Sequence, residues 1–103
     1  MEEDVLQLGG NIELSGFSGL EPGVMIILKK NVGNYARRMS DKCKNFEKLS
    51  LTMKIVHAKE KSEKYELHAK ALDSGKQHNS SSVDRNLFVA VDSALKAIMN
   101  SLK

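Results

Sequence analysis

The chain has 103 residues, 41% hydrophobic and 28% charged, with 16 Lys and Arg against 13 Asp and Glu, for a net charge of +3 and a pI near 9.0. That length suits one domain, residues 1–103, with a single modest core. No apolar run approaches the roughly 18 residues of a membrane span, and one cysteine, Cys43, excludes an internal disulfide. The acidic start MEEDVLQL lacks the basic region of a secretory signal, so the expected compartment is the cytoplasm.

In chain order, residues 1–10 either extend a first strand through Val5, Leu6 and Leu8 or fray, with Gly9-Gly10 marking a break. Asn11 to Ser15 alternates, Ile12 and Leu14 against Glu13, and reads as a strand. Pro22 suits the first turn of a helix running to about Asn45. Along it Met25, Leu28, Val32, Tyr35, Ala36, Met39 and Cys43 recur at steps of three and four. Gly33 lies off that stripe and either permits a close approach or is merely tolerated.

Leu49 to His57 alternates again, with Leu49, Leu51, Met53 and Ile55 on one face and Thr52 and Lys54 on the other. Ala58 to Glu63 reads as a hairpin turn. Lys64 to Leu72 is a strand with Tyr65, Leu67, Ala69 and Ala71 inward and Glu66, His68 and Lys70 outward. Asp73-Ser74-Gly75-Lys76 is a tight turn, because Gly75 tolerates positive φ. Gln77 to Val83 is polar and poor in β-branched residues; the turn before it makes it an edge strand.

Asp84 to Lys103 is an amphipathic helix, with Leu87, Val91, Ala94, Leu95, Ile98 and Leu102 on one face and Asp92, Lys96 and Lys103 opposite. Asp84 or a preceding serine is its expected cap. These elements predict an α+β fold, β-α-β-β-β-α. Its four-stranded, mostly antiparallel sheet carries both helices on one face and leaves the other polar.

No enzyme chemistry emerges. His57, His68 and His78 lack close metal-ligand spacing, although His68 and His78 fall where a hairpin would make them neighbours. Cys43 sits on the core stripe with no base beside it, the Asp73 turn lacks the long glycine-rich loop of a nucleotide site, and no carboxylate pair is placed for acid–base work. The expectation is a non-enzymatic protein with neither cofactor nor metal.

The cations are less evenly spread. Residues 29–54 hold eight Lys or Arg against Asp41 and Glu47, a balance of +6. Lys30, Arg37 and Lys44, seven apart, form a stripe opposite the apolar face of the first helix. Lys29, Arg38 and Lys42 flank it, and Lys54 follows on the polar sheet face. Such a stripe suits phosphates along a nucleic-acid backbone and equally suits a solvated helix face.

The chain resembles the short-form ribosome hibernation promoting factors over about residues 11–103. The resemblance rests on NIELSG as the first strand, on LSLTMKIV with KYELHAKAL as a central hairpin, and above all on NLFVAVDSALKAIMNSL. In that last stretch Phe88, Ala90, Val91 and Asp92 hold the positions of the family's motif at the start of its final helix. The resemblance implies a β-α-β-β-β-α fold and binding to ribosomal RNA in the mRNA and tRNA channel of the small subunit. Translation would stop and idle ribosomes would be protected. It implies RNA contacts at Lys30, Arg37, Arg38 and Lys44. The last helix departs from the family in offering only Arg85, Lys96 and Lys103, and the chain ends without a basic tail or a second, dimerising domain. A double-stranded-RNA-binding domain would place a lysine cluster where this chain has Asp84-Arg85-Asn86. The competing expectation is a protein-interaction or assembly module using the polar sheet face and the edge strand; under either reading the chain is expected as a monomer or weak dimer.

Overall fold

The structure, a computed structural model, describes residues 5–8, 11–57 and 63–102. The Gly9-Gly10 break, most of the turn expected at Ala58 to Glu63, and Lys103 lie outside the described residues. The elements are β1 (Val5–Leu8), β2 (Ile12–Ser15), α1 (Pro22–Lys42), β3 (Phe46–His57), β4 (Glu63–Asp73), β5 (Lys76–Asp84) and α2 (Leu87–Ser101). The fold is α+β: two helices cover one face of a mixed sheet ordered β1-β2-β3-β4-β5.

Among the described residues only β2 and β3 run parallel, with Ile12 beside Leu49 and Leu14 beside Leu51, and α1 is the crossover between them. The other pairings are antiparallel. Alternation then sets the faces. Ile12, Leu14, Leu49, Leu51, Met53, Leu67, Ala69 and Ala71 are buried under the helices, while Glu13, Thr52, Lys54, Glu66, His68 and Lys70 lie on the open face. From α1, Leu28, Val32, Ala36 and Met39 complete the core; from α2, Leu87, Ala90, Val91, Ala94, Leu95 and Ile98 do so. Each large apolar side chain fully buried there contributes roughly 1.5–3 kcal/mol.

Two tight features hold the sheet in register. Asp73 to Lys76 turns with positive φ at both Ser74 and Gly75, the geometry whose twist matches a two-residue hairpin. Gly16 ends β2 at φ +85, and a Cβ there would lie 2.3 Å from the Met53 carbonyl oxygen, so only glycine fits. By contrast, nothing lies within 4 Å of a Cβ built on Gly33, so no close approach requires that glycine.

Several expectations are corrected. The sheet has five strands, because Val5–Leu8 pairs with β2 and only Leu8 of that strand packs on the core. The first helix stops at Lys42; Cys43 caps it in extended conformation, so Lys44 is off the helix. The second helix starts at Leu87. Its cap is Asn86, whose side chain accepts from the Phe88 and Val89 N–H groups, while Asp84 accepts from the Asn86 N–H at 2.8 Å. The serines of β5 do not cap: Ser80 and Ser82 donate to the Ala94 and Ala90 carbonyls along the flank of α2. Small hydroxyl side chains let the helix backbone lie close to this strand, which explains its poverty in β-branched residues. Ile55 faces the helix side as expected but is 46% exposed, because the twelve-residue β3 outruns the helices. His68 and His78 are not neighbours: His68 lies on the open face 2.5 Å from Glu66, and His78 on the helix face 2.9 Å from the Ser101 hydroxyl.

Candidate nucleic-acid interface

A helix with one buried stripe must expose the remainder; on α1 that remainder carries Ile26 and Ile27 near its start, then Lys29, Lys30, Arg37, Arg38 and one acid, Asp41. Leu28, Val32, Ala36 and Met39 fix its rotation. At 100° per residue Lys30 and Arg37 then point away from the sheet, with Lys29 on one shoulder and Arg38 on the other. All four are exposed. Lys29, Lys30 and Arg37 make no salt bridge or side-chain hydrogen bond among the described residues.

The other predicted residues distribute as follows. Lys44 is exposed in the connector just past α1. Lys42 is committed, its Nζ donating to the Met99 carbonyl at 2.9 Å and tying the C-terminal ends of the helices together. Lys96 is exposed on α2, one turn past Asp92. Arg85 precedes the α2 cap, beside a surface groove that Leu20, Val24, Ile55, Tyr65 and Phe88 also line. Lys54 lies on the opposite side of the sheet, so the structure does not bring it together with the helix cations. The helix layer therefore gathers Lys29, Lys30, Arg37, Arg38 and Lys96, with Lys44 at its margin.

Lys42 with Met99 at one end and Tyr35 with Asp92 farther along run α1 and α2 side by side in the same direction. The Tyr35 hydroxyl donates to the Asp92 carboxylate. Burial first, then that hydrogen bond and the negative charge of Asp92, push the Tyr35 phenol up to about 12. The Arg38 guanidinium sits 5.2 Å from the centre of the same ring, a cation–π contact. Beside this seam lies a groove that Asn31, Asn34 and Phe88 also line.

Sequence reasoning missed this groove. Asp92 was expected on the outer face of the last helix but lies on its α1-facing flank. The available signal was that Tyr35 and Asp92 each sit at the edge of an apolar stripe, where two adjacent helices would bring them together.

The open sheet face holds a shallow depression of about 540 Å³ lined by Ser50, Thr52, Lys54, His68, Lys70 and Asn79. Its charges are mixed: Lys48 is 3.5 Å from Glu13, and Lys54 pairs in register with Glu66. Cys43 is buried, and burial followed by hydrogen bonding to Asp73 raises its thiol pKa, which leaves it a poor nucleophile. Among the described residues no group of His, Cys, Asp and Glu is placed to hold a metal ion, and no helix is long and apolar enough to cross a membrane. No protein-family model, curated protein or solved structure matches the chain.

Proposed function

We propose that this protein is a non-enzymatic RNA binder that lays the outer face of its helix layer on the phosphate backbone of ribosomal RNA. Its target is the small ribosomal subunit, where it inhibits translation or preserves idle ribosomes. The observation that carries this reading is the ridge of Lys29, Lys30 and Arg37 on α1, exposed and without acidic partners among the described residues. Unpaired cations on a rigid helix meet phosphates without first breaking an ion pair, and counterion release supplies the affinity. The order of elements from β2 to α2, β-α-β-β-β-α, is the order that the resemblance to hibernation factors implies, and it supports the reading at the level of fold alone.

A second reading rests on a different observation. Among the described residues β5 is a nine-residue strand paired on one side only, so its outer edge offers backbone groups to an added strand of a protein partner. Salt separates the two, because phosphate contacts weaken steeply as it rises and strand addition does not. The test is co-sedimentation of the purified protein with small subunits at low and high salt. Ribosome-bound protein that is released as salt rises supports RNA binding. Exclusive recovery in the free fraction at low salt overturns it.

A further inference from the structure

The groove between α1 and α2, about 260 Å³, is smaller than a site for a drug-sized ligand and suits a single planar ring system. From α1 it is walled by the Asn31 and Asn34 amides and by Arg38, whose guanidinium is parked over Tyr35. From α2 come Asp92 and the half-buried ring of Phe88. Neither asparagine has a side-chain partner among the described residues, and the Tyr35 hydroxyl occupies only one Asp92 oxygen. An anionic acceptor, a cationic planar donor and two carboxamides thus converge beside an aromatic surface.

That chemistry selects a ligand class. Asp92 disfavours a phosphate or carboxylate in the groove, and Arg38 disfavours a cation. A neutral planar ring with donors on one edge and acceptors on another satisfies both. Guanine is such a ring, with its N1–H and 2-amino donors suited to a carboxylate and its O6 and N7 acceptors suited to a guanidinium. Single-stranded RNA is read in this manner, by unstacked bases held against aromatic or guanidinium planes. The groove also adjoins the ridge, since Asn34 and Arg38 lie next around the helix from Lys30 and Arg37. A strand with phosphates on those cations turns a base into the seam.

We propose that the α1–α2 groove is a guanine-binding subsite, with Asp92 and Arg38 reading the two edges of the base. This rests on the RNA-binding reading above and adds base preference to it.

The test uses the full chain and three short RNAs: an oligouridylate, the same oligomer with one central guanosine, and one with inosine there, which lacks the 2-amino group. The guanosine oligomer should bind roughly tenfold tighter than oligouridylate, with inosine between them. Asp92→Asn, which keeps an acceptor for Tyr35, should erase that preference and leave the salt slope unchanged. Asn34→Ala, at an exposed position, should reduce the preference even if the first variant folds poorly. Lys30→Glu with Arg37→Glu should weaken all three RNAs alike. Salt-dependent binding by the parent with no preference for guanosine would overturn the subsite and leave the RNA reading standing, as would an Asp92→Asn protein that retains the preference. Failure to bind any of the three at low salt would overturn both.

Discussion

The outer face of the helix layer and the open face of the sheet both display cations, but in different company. On the sheet, Lys48 lies 3.5 Å from Glu13, Lys54 stands opposite Glu66 in the β3–β4 register, and His68 lies 2.5 Å from the same Glu66, while Lys70 stands between Ser50 and Asn79. On α1, Lys29, Lys30 and Arg37 have no such partners among the described residues. The difference is geometric. A strand residue has a neighbour directly opposite on the next strand, and opposite charges there stabilise the pair. On the outer face of a helix the only neighbours stand three and four residues along the same helix. Among the described residues Asp41, four past Arg37, makes no salt bridge with it, so Lys29, Lys30 and Arg37 stay available. A count of lysines therefore does not locate an interface; their cross-strand or helical setting does.

The comparison assumes that both surfaces ride on one rigid body, and it is broken most severely at Gly16. Gly16→Ala combines a left-handed backbone with a methyl group driven onto the Met53 carbonyl. It should cost at least about 3 kcal/mol, read by urea denaturation. Loss of RNA binding in that variant would follow from unfolding and would spare neither face.

A smaller effect sharpens the helix side. Tyr35→Phe removes the hydrogen bond to Asp92 and should cost roughly 1 kcal/mol near neutral pH. The folded phenol, pushed up to about 12, lies above its unfolded value near 10. Its stabilisation is thus complete below pH 10 and is lost as pH rises toward 12. Thermal melts of parent and variant should differ most below pH 10 and converge above it.

The smallest effect has the opposite sign. Gly33 sits in the interior of α1 with open space where a Cβ would go. Gly33→Ala should stabilise the protein by about 0.5–1 kcal/mol, seen as a raised melting temperature, with RNA affinity unchanged.

How legible all this was depended on local pattern. Ile12 and Leu14, the β3 and β4 alternation, the Ser74-Gly75 turn and both apolar stripes announced the layers, because periods of 2 and 3.6 are written directly into the chain. β1 was ambiguous because four mostly exposed residues carry almost no periodic signal. The helix ends were misplaced by two or three residues at Asp84 and Asn45, since neighbouring polar residues compete for the cap and only Asn86 and Cys43 take it. The basic ridge was readable from the spacing of Lys30 and Arg37. The commitment of Lys42 to Met99, the removal of Lys54 to the far face, and the Tyr35–Asp92 seam were not, because each depends on which elements become neighbours.

The most direct test sets the two faces against each other. Binding to purified small subunits would be measured at several salt concentrations for the parent, for Lys30→Glu with Arg37→Glu on the helix, and for Lys54→Glu with Lys70→Glu on the sheet. Thermal melts check that each stays folded. The helix pair should weaken binding about a hundredfold at low salt and reduce the slope of log affinity against log salt by about two. The sheet pair should bind within about threefold of the parent with the same slope. A helix pair that binds like the parent, or a sheet pair that alone loses binding, would contradict the assignment of RNA contact to the helix layer.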